Sequence, residues 1–219
     1  MSPEEWAESF QEDVFNYWKN EQKDWEWGFR VFYGPVFYRP EVLILGFQPG
    51  GSRNDFHRDH FDRYNNGDFE VPERHEYLTK KYRIAKVMRN KVFKDRKELL
   101  SETVKSNVIF FRAKDENVWD SAPDEKRQEM ENFSLRKIEE MIDTLEPKVV
   151  LAEGMRTWDI LGSQIGFRGE CRVRRSNARL LCVSDDQTRT YAGIIHPSTH
   201  VSDEDWKKVR SELFNVIDT

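Results

Sequence analysis

Two short stretches of this sequence place chemically capable residues just beyond an apolar run. The first is Gly46-Phe47-Gln48-Pro49-Gly50-Gly51-Ser52, which follows Val42-Leu43-Ile44-Leu45. Gly46 ends the aliphatic run, and Pro49-Gly50-Gly51 forces a turn whose backbone can approach a ligand closely. The second is His196-Pro197-Ser198-Thr199-His200, which follows Tyr191-Ala192-Gly193-Ile194-Ile195. Histidine changes charge nearest to neutral pH and donates a hydrogen bond in its neutral form. Taken singly, each stretch is equally compatible with plain architecture. The pairing carries the weight, because ligands of open α/β sheets bind outside the carboxyl ends of the strands. A third cluster, His57 and His60 with Asp55, Asp59 and Asp62, matches no ligand motif and reads as a solvated loop, so no metal is expected.

The elements that must position these residues follow from periodicity. Ser2-Pro3-Glu4-Glu5 opens a helix over residues 3–21, with Trp6, Phe10, Val14, Phe15 and Trp18 at helical spacing. Residues 25–40, rich in aromatics around Tyr33-Gly34-Pro35, read as extended chain or a hairpin beside the first strand, so that 1–40 forms an extension of helix and hairpin packed on the main domain. Four buried strands are expected at 42–45, 106–111, 148–152 and 191–195, with helices at 73–93, 95–103, 124–145, 154–161 and 203–216 between and after them. Residues 53–72 read as a long polar loop, and 171–183 as a possible pair of strands around Ser176-Asn177-Ala178. Strands separated by helices imply a single α/β/α sandwich over residues 1–219, with a central, mainly parallel four-stranded sheet.

Composition narrows the function classes. The 219 residues are 37% hydrophobic and 34% charged, and seven Trp and fifteen Phe supply enough apolar surface for a core. The net charge of −5 argues mildly against a nucleic-acid binder, although a local basic face remains open. The densest basic group recognised is Arg172, Arg174, Arg175 and Arg179, equally readable as a solvated turn or as phosphate contacts. Two cysteines, Cys171 and Cys182, are too few for a four-thiolate cluster and read as reduced thiols. No apolar leader or membrane span is evident, which gives the expectation of a cytoplasmic protein without a membrane partner.

The two stretches, 150 residues apart and in this order, resemble the first and second motifs of the uracil-DNA glycosylase superfamily: Gly46-Phe47-Gln48-Pro49-Gly50 and His196-Pro197-Ser198. Between them, Lys105-Ser106-Asn107-Val108 resembles the family strand whose Asn reads an extruded base. Pro147-Lys148-Val149-Val150-Leu151-Ala152-Glu153-Gly154 resembles its proline–strand–loop segment. The resemblance implies a monofunctional DNA glycosylase that hydrolyses the N-glycosidic bond of a flipped-out uracil-like or modified base, leaves an abasic site and needs no cofactor. It also implies roles. His196 donates to the departing base and Gln48 orients water, while Asn107 presents a donor and an acceptor to the base edge. Gly46, Pro49 and Gly50 shape the pocket, and Phe56, Phe61 or Phe47 stacks on the base. Ser52, Ser198, His200, Arg172, Arg174 and Arg175 contact DNA, and no obligate protein partner is implied. The setting is repair or defence against foreign DNA.

Departures limit the likeness. Gln48 stands where an acid is common and cannot take a proton, and the family's apolar wedge is replaced by Thr199-His200-Val201. The long 53–72 segment suggests a base bulkier than uracil, such as a modified cytosine. Two rival readings stay open: a non-catalytic nucleic-acid- or nucleotide-binding module of the same fold, and a hydrolase of free nucleosides or nucleotides.

Overall fold

The computed structural model describes residues 1–185 and 189–219, except for the side chains of Asp59 and Asp185. Helix α1 (Pro3–Glu21) starts as its sequence dictates. Ser2 Oγ accepts the Glu5 N–H at 3.1 Å and the Glu5 carboxylate accepts the Ser2 N–H at 2.7 Å. Its buried residues Trp6, Phe10, Val14, Phe15 and Trp18 belong to the main core, together with Phe29, Val31 and Phe32. Side chains of the first 40 residues thus pack into the main core. Of the two forms expected for residues 25–40, extended chain or hairpin, no hairpin ladder forms among the described residues. Residues 22–41 form a strap tied to the chain around β2, with a single bridge between Phe29 and Phe111. The Arg30 and Tyr33 N–H groups donate to Phe110 O at 2.9 Å and Lys105 O at 3.1 Å. Aromatic burial, rather than a hairpin ladder, holds the segment.

The strands are β1 (Val42–Gly46), β2 (Val104–Asn107), β3 (Val149–Glu153), β4 (Glu170–Arg175), β5 (Ala178–Asp185) and β6 (Thr190–Ile194). Among the described residues they form one sheet of order β2-β1-β3-β6-β5-β4. The first four are mutually parallel, and β5 and β4 add an antiparallel hairpin to the β6 side. The sheet thus has six strands, not four. The four expected strands were legible because they are buried on both faces, whereas β4 alternates between half-buried and exposed. Strand β2 starts two residues before the expected 106–111 and ends at Asn107, ahead of the apolar run 108–111. Beyond Asn107 the chain stays extended and the Val108 and Ile109 N–H groups donate to Gly46 O and Phe47 O, bracing the loop after β1. Cys171 and Cys182 face each other across β4 and β5 and are joined in a disulfide, contrary to the reduced thiols expected.

Residues 53–65 are helical rather than a loop: α2 (Arg53–Phe56), a π turn (His57–Phe61) and α3 (Asp62–Asn65). The wider π turn brings Phe61 round to the side of Phe56 and Tyr64, and their rings pack against α1 and Phe29. The helix expected over 73–93 is broken into α4 (Glu76–Thr79), α5 (Arg83–Val87) and a π turn (Met88–Val92). The remaining helices are α6 (Lys97–Ser101), α7 (Glu116–Asp120), α8 (Asp124–Leu145), α9 (Met155–Ile165) and α10 (Asp203–Asp218). Alternation along the central strands divides the core. Leu43, Leu45, Val150 and Ala152 join α1, α8 and α9 on one face, and Val42, Ile44, Val149 and Leu151 join α5 and α10 on the other. No helix among the described residues is long and apolar enough to cross a membrane.

Candidate active site

The parallel register sets the site. Gly46 lies opposite Asn107, and Glu153 opposite Ile194, so β1, β2, β3 and β6 end nearly level. The chain leaves β1 toward β2 on one side and returns through β3 on the other, which opens a crevice at their carboxyl ends. A cavity of about 640 Å³ lies there. Gly46, Phe47, Gln48, Pro49, Gly50, Asn107 and His196, all read from the sequence, line it together.

His196 is half-buried. Its Nδ1 lies 2.6 Å from Ser198 Oγ and accepts the Ser198 backbone N–H at 3.3 Å. A backbone amide can only donate, so Nδ1 is unprotonated and the proton of the neutral ring sits on Nε2. Burial pushes the His196 pKa below its ordinary value, opposed chiefly by Glu153, and this favours the neutral donor. Gly154 makes room for the ring. With φ +104°, any Cβ there would lie 3.3 Å from His196 Cδ2.

Gln48 Oε1 is buried and has no hydrogen-bond partner among the described residues. It is an acceptor held in the cavity wall, able to fix a water molecule or a ligand N–H. Asn107 has its amide fixed at both ends. Nδ2 donates to the Tyr33 hydroxyl at 2.7 Å, and Oδ1 accepts from Lys105 Nζ at 3.4 Å.

The floor holds a group that sequence reading missed. Lys105 and Glu153 form an ion pair at 2.9 Å with both side chains buried, and both Glu153 oxygens lie within 2.7 Å of the Tyr77 hydroxyl. Lys105 Nζ also donates to Ser106 O at 2.6 Å. Burial pulls the Lys105 pKa down and Glu153 opposes it. Its three acceptors match the three N–H groups of an ammonium, so the amine has no lone pair to offer as a nucleophile. Burial and the neighbouring Glu153 push Tyr77 well above its ordinary pKa, so it remains a hydroxyl donor. Gly46 lets this group converge. A Cβ at that position would collide with Asn107 Oδ1 and Lys105 Nζ and sit 3.3 Å from Glu153 Oε2. A lysine one residue from Ser106-Asn107 and a glutamate ending a buried run were the available signals, since charges inside such runs seldom lack partners.

Phe47 is the one of the three candidate aromatics that lines the cavity, with the Arg156 guanidinium 3.9 Å over its ring. Arg156 is in turn held by Glu116 and Asp120. Phe56 is fully buried against Trp18 and Phe29, and Phe61 packs on Trp18 and Phe56. Neither lines the cavity; Tyr33, Tyr77 and Tyr82 do. The wall also carries Arg30, paired with Glu76 at 2.7 Å.

The residues expected to touch DNA are scattered. The Ser52 N–H donates to Asp55, which reaches Arg112, so Ser52 braces the first loop. Ser198 is bonded to His196, and His200 is exposed beyond it. Arg172, Arg174 and Arg175 lie on the outermost strand, β4, and none lines the cavity. Arg172 pairs with Glu170 and Glu212, Arg175 with Asp205, and Arg179 with Asp159. His57 and His60 pack against Phe61 and Tyr64. Among the described residues no group of His, Cys, Asp and Glu could hold a metal ion, and the Asp59 side chain lies outside them.

No protein-family model matches the chain. No curated protein matches it in sequence.

Proposed function

We propose that this chain is a monofunctional DNA glycosylase of the uracil-DNA glycosylase type, built on that family's three-layer α/β/α plan. It hydrolyses the N-glycosidic bond of a base turned out of its strand. The observation that carries the reading is the convergence of Gln48, Asn107, Glu153 and His196 from four parallel strand ends on one cavity. The bond breaks with its electron pair on the base, and water adds to the sugar carbon that is left electron-poor. His196 Nε2–H donates to the carbonyl oxygen on which negative charge grows. Gln48 Oε1 orients the water and cannot take its proton, so that proton passes to the departing base or to solvent. Glu153, held by Lys105 and Tyr77, supplies a fixed negative charge toward the electron-poor sugar. Asn107 offers its remaining N–H to the base edge. A cavity of about 640 Å³ favours a base larger than uracil, such as a modified cytosine.

The decisive experiment measures base release from duplex and single-stranded oligonucleotides containing uracil, hypoxanthine, thymine mispairs or modified cytosines. Release by the wild type is expected to fall at least about 100-fold in His196→Ala, the scale of losing one such donor. The second reading, a binding module, draws on one observation: Glu153 is already bonded to Tyr77 and Lys105, and Gln48 is no base. Binding without release from any substrate would select it.

A further inference from the structure

On the β4 edge Arg172 and Arg175 are paired with neighbouring carboxylates, but a longer basic run borders the cavity. Residues 80–97 contain nine Lys and Arg and one carboxylate, Asp95, in a chain of net charge −5. Some of these cations have internal roles. Arg89 Nη1 donates to the carbonyls of Tyr77, Leu78 and Lys80 at 2.6, 3.1 and 3.2 Å, Lys91 pairs with Asp203, and Arg96 pairs with Asp218. Lys80, Lys81, Arg83 and Lys86 differ: all four are exposed, and no ion pair engages them among the described residues. They surround Tyr82, which lines the cavity while 40% exposed; Ile84 of the same segment and Tyr77 just before it also line it.

We propose that Lys80, Lys81, Arg83 and Lys86 form the phosphate-binding surface on which a nucleic-acid strand lies while Tyr82 stacks on a base at the cavity mouth. The placing of the target base rests on the glycosylase reading; the binding of the strand does not. Four unpaired cations beside an exposed aromatic are what a strand of phosphates and bases requires. Arg89 also fixes the chain that leads into this group, through the carbonyls of Tyr77, Leu78 and Lys80, so Tyr82 is held at the cavity mouth. The cavity wall itself is not cationic, since Arg30, Lys105 and Lys114 are matched by Glu76, Asp115, Glu116 and Glu153. Phosphates are thus favoured outside the cavity and an uncharged group within it.

The test is fluorescence anisotropy of a short 5′-labelled oligonucleotide, single-stranded or duplex, from about 50 to 200 mM salt, where each phosphate contact shows as a slope of about 0.7 to 0.9 in log K against log salt. The Lys80→Gln, Lys81→Gln, Arg83→Gln, Lys86→Gln variant should lose at least about tenfold in affinity and about 3 in slope. The Arg172→Gln, Arg174→Gln, Arg175→Gln variant should change affinity less than about twofold, and Tyr82→Ala should weaken single strands more than duplex. Equal losses in the two arginine and lysine variants would overturn the assignment. So would a flat salt response of the wild type, or binding to anionic vesicles but not to oligonucleotide. Release of base with affinity unchanged in the quadruple variant removes this surface alone, while salt-dependent binding without release removes the glycosylase reading alone.

Discussion

His196 and His75 are both held neutral, with different consequences. Burial lowers the His196 pKa, so its donor form persists as pH falls through the ordinary histidine range. The acid limb of base release should therefore lie below pH ~6.5, the unperturbed value; a limb at or above that pH would show that another group controls it. His75 Nδ1 accepts the Tyr77 N–H at 3.1 Å, Nε2 is buried without a partner among the described residues, and burial lowers its pKa to about 3. In the unfolded chain the same ring protonates near pH 6.5, so the unfolded state binds more protons between about pH 6.5 and 3. The stability it contributes is full above ~6.5 and is lost as pH falls toward 3. Urea midpoints at pH 7.5 and 5 should show that loss, and His75→Gln should shrink the difference. An unchanged difference would relieve His75 of this role.

At the scale of elements, the ends of β2 and β3 carry opposite, buried charges into the floor of the crevice. Lys105 extends from β2 and Glu153 from β3, on either side of β1, and they meet because Gly46 has no side chain. Breaking such a pair from one side leaves an uncompensated buried charge, which costs about 3–5 kcal/mol. Lys105→Met should therefore destabilise strongly, and Lys105→Met with Glu153→Gln should recover part of the loss. Additive losses in denaturant unfolding would mean that the two strands are not coupled here. The sequence announced both strands but neither charge's partner. Burial on both faces is a local pattern, whereas a partner two strands away depends on strand order and register.

At the scale of the molecule, the amino-terminal helix is the part most easily misjudged. Its cap and apolar stripe were plain, but the stripe does not say what it covers. The structure places Phe10 against Phe32 and Phe110, and Trp18 against Phe29, Phe56 and Phe61. Removing residues 1–21 would expose that cluster, with each large apolar side chain worth roughly 1.5–3 kcal/mol. The truncated chain should lose its cooperative thermal transition; a transition retained within a few degrees would restore the helix to the status of an extension.

By itself the sequence determined the four parallel strands, the helices α1, α8 and α10, and the two loops that end beside one another. These are written in nearest-neighbour terms: period, cap, glycine and proline. Tertiary structure alone decided that Phe56 and Phe61 close the core rather than the cavity, and that Arg172 and Arg175 of β4 pair with carboxylates at the far edge. It also decided that Lys105, Glu153, Tyr77 and Tyr33 line the site. A side chain's partner lies across the sheet from residues remote in the chain, and the energy of burying a charge or a ring depends on that partner.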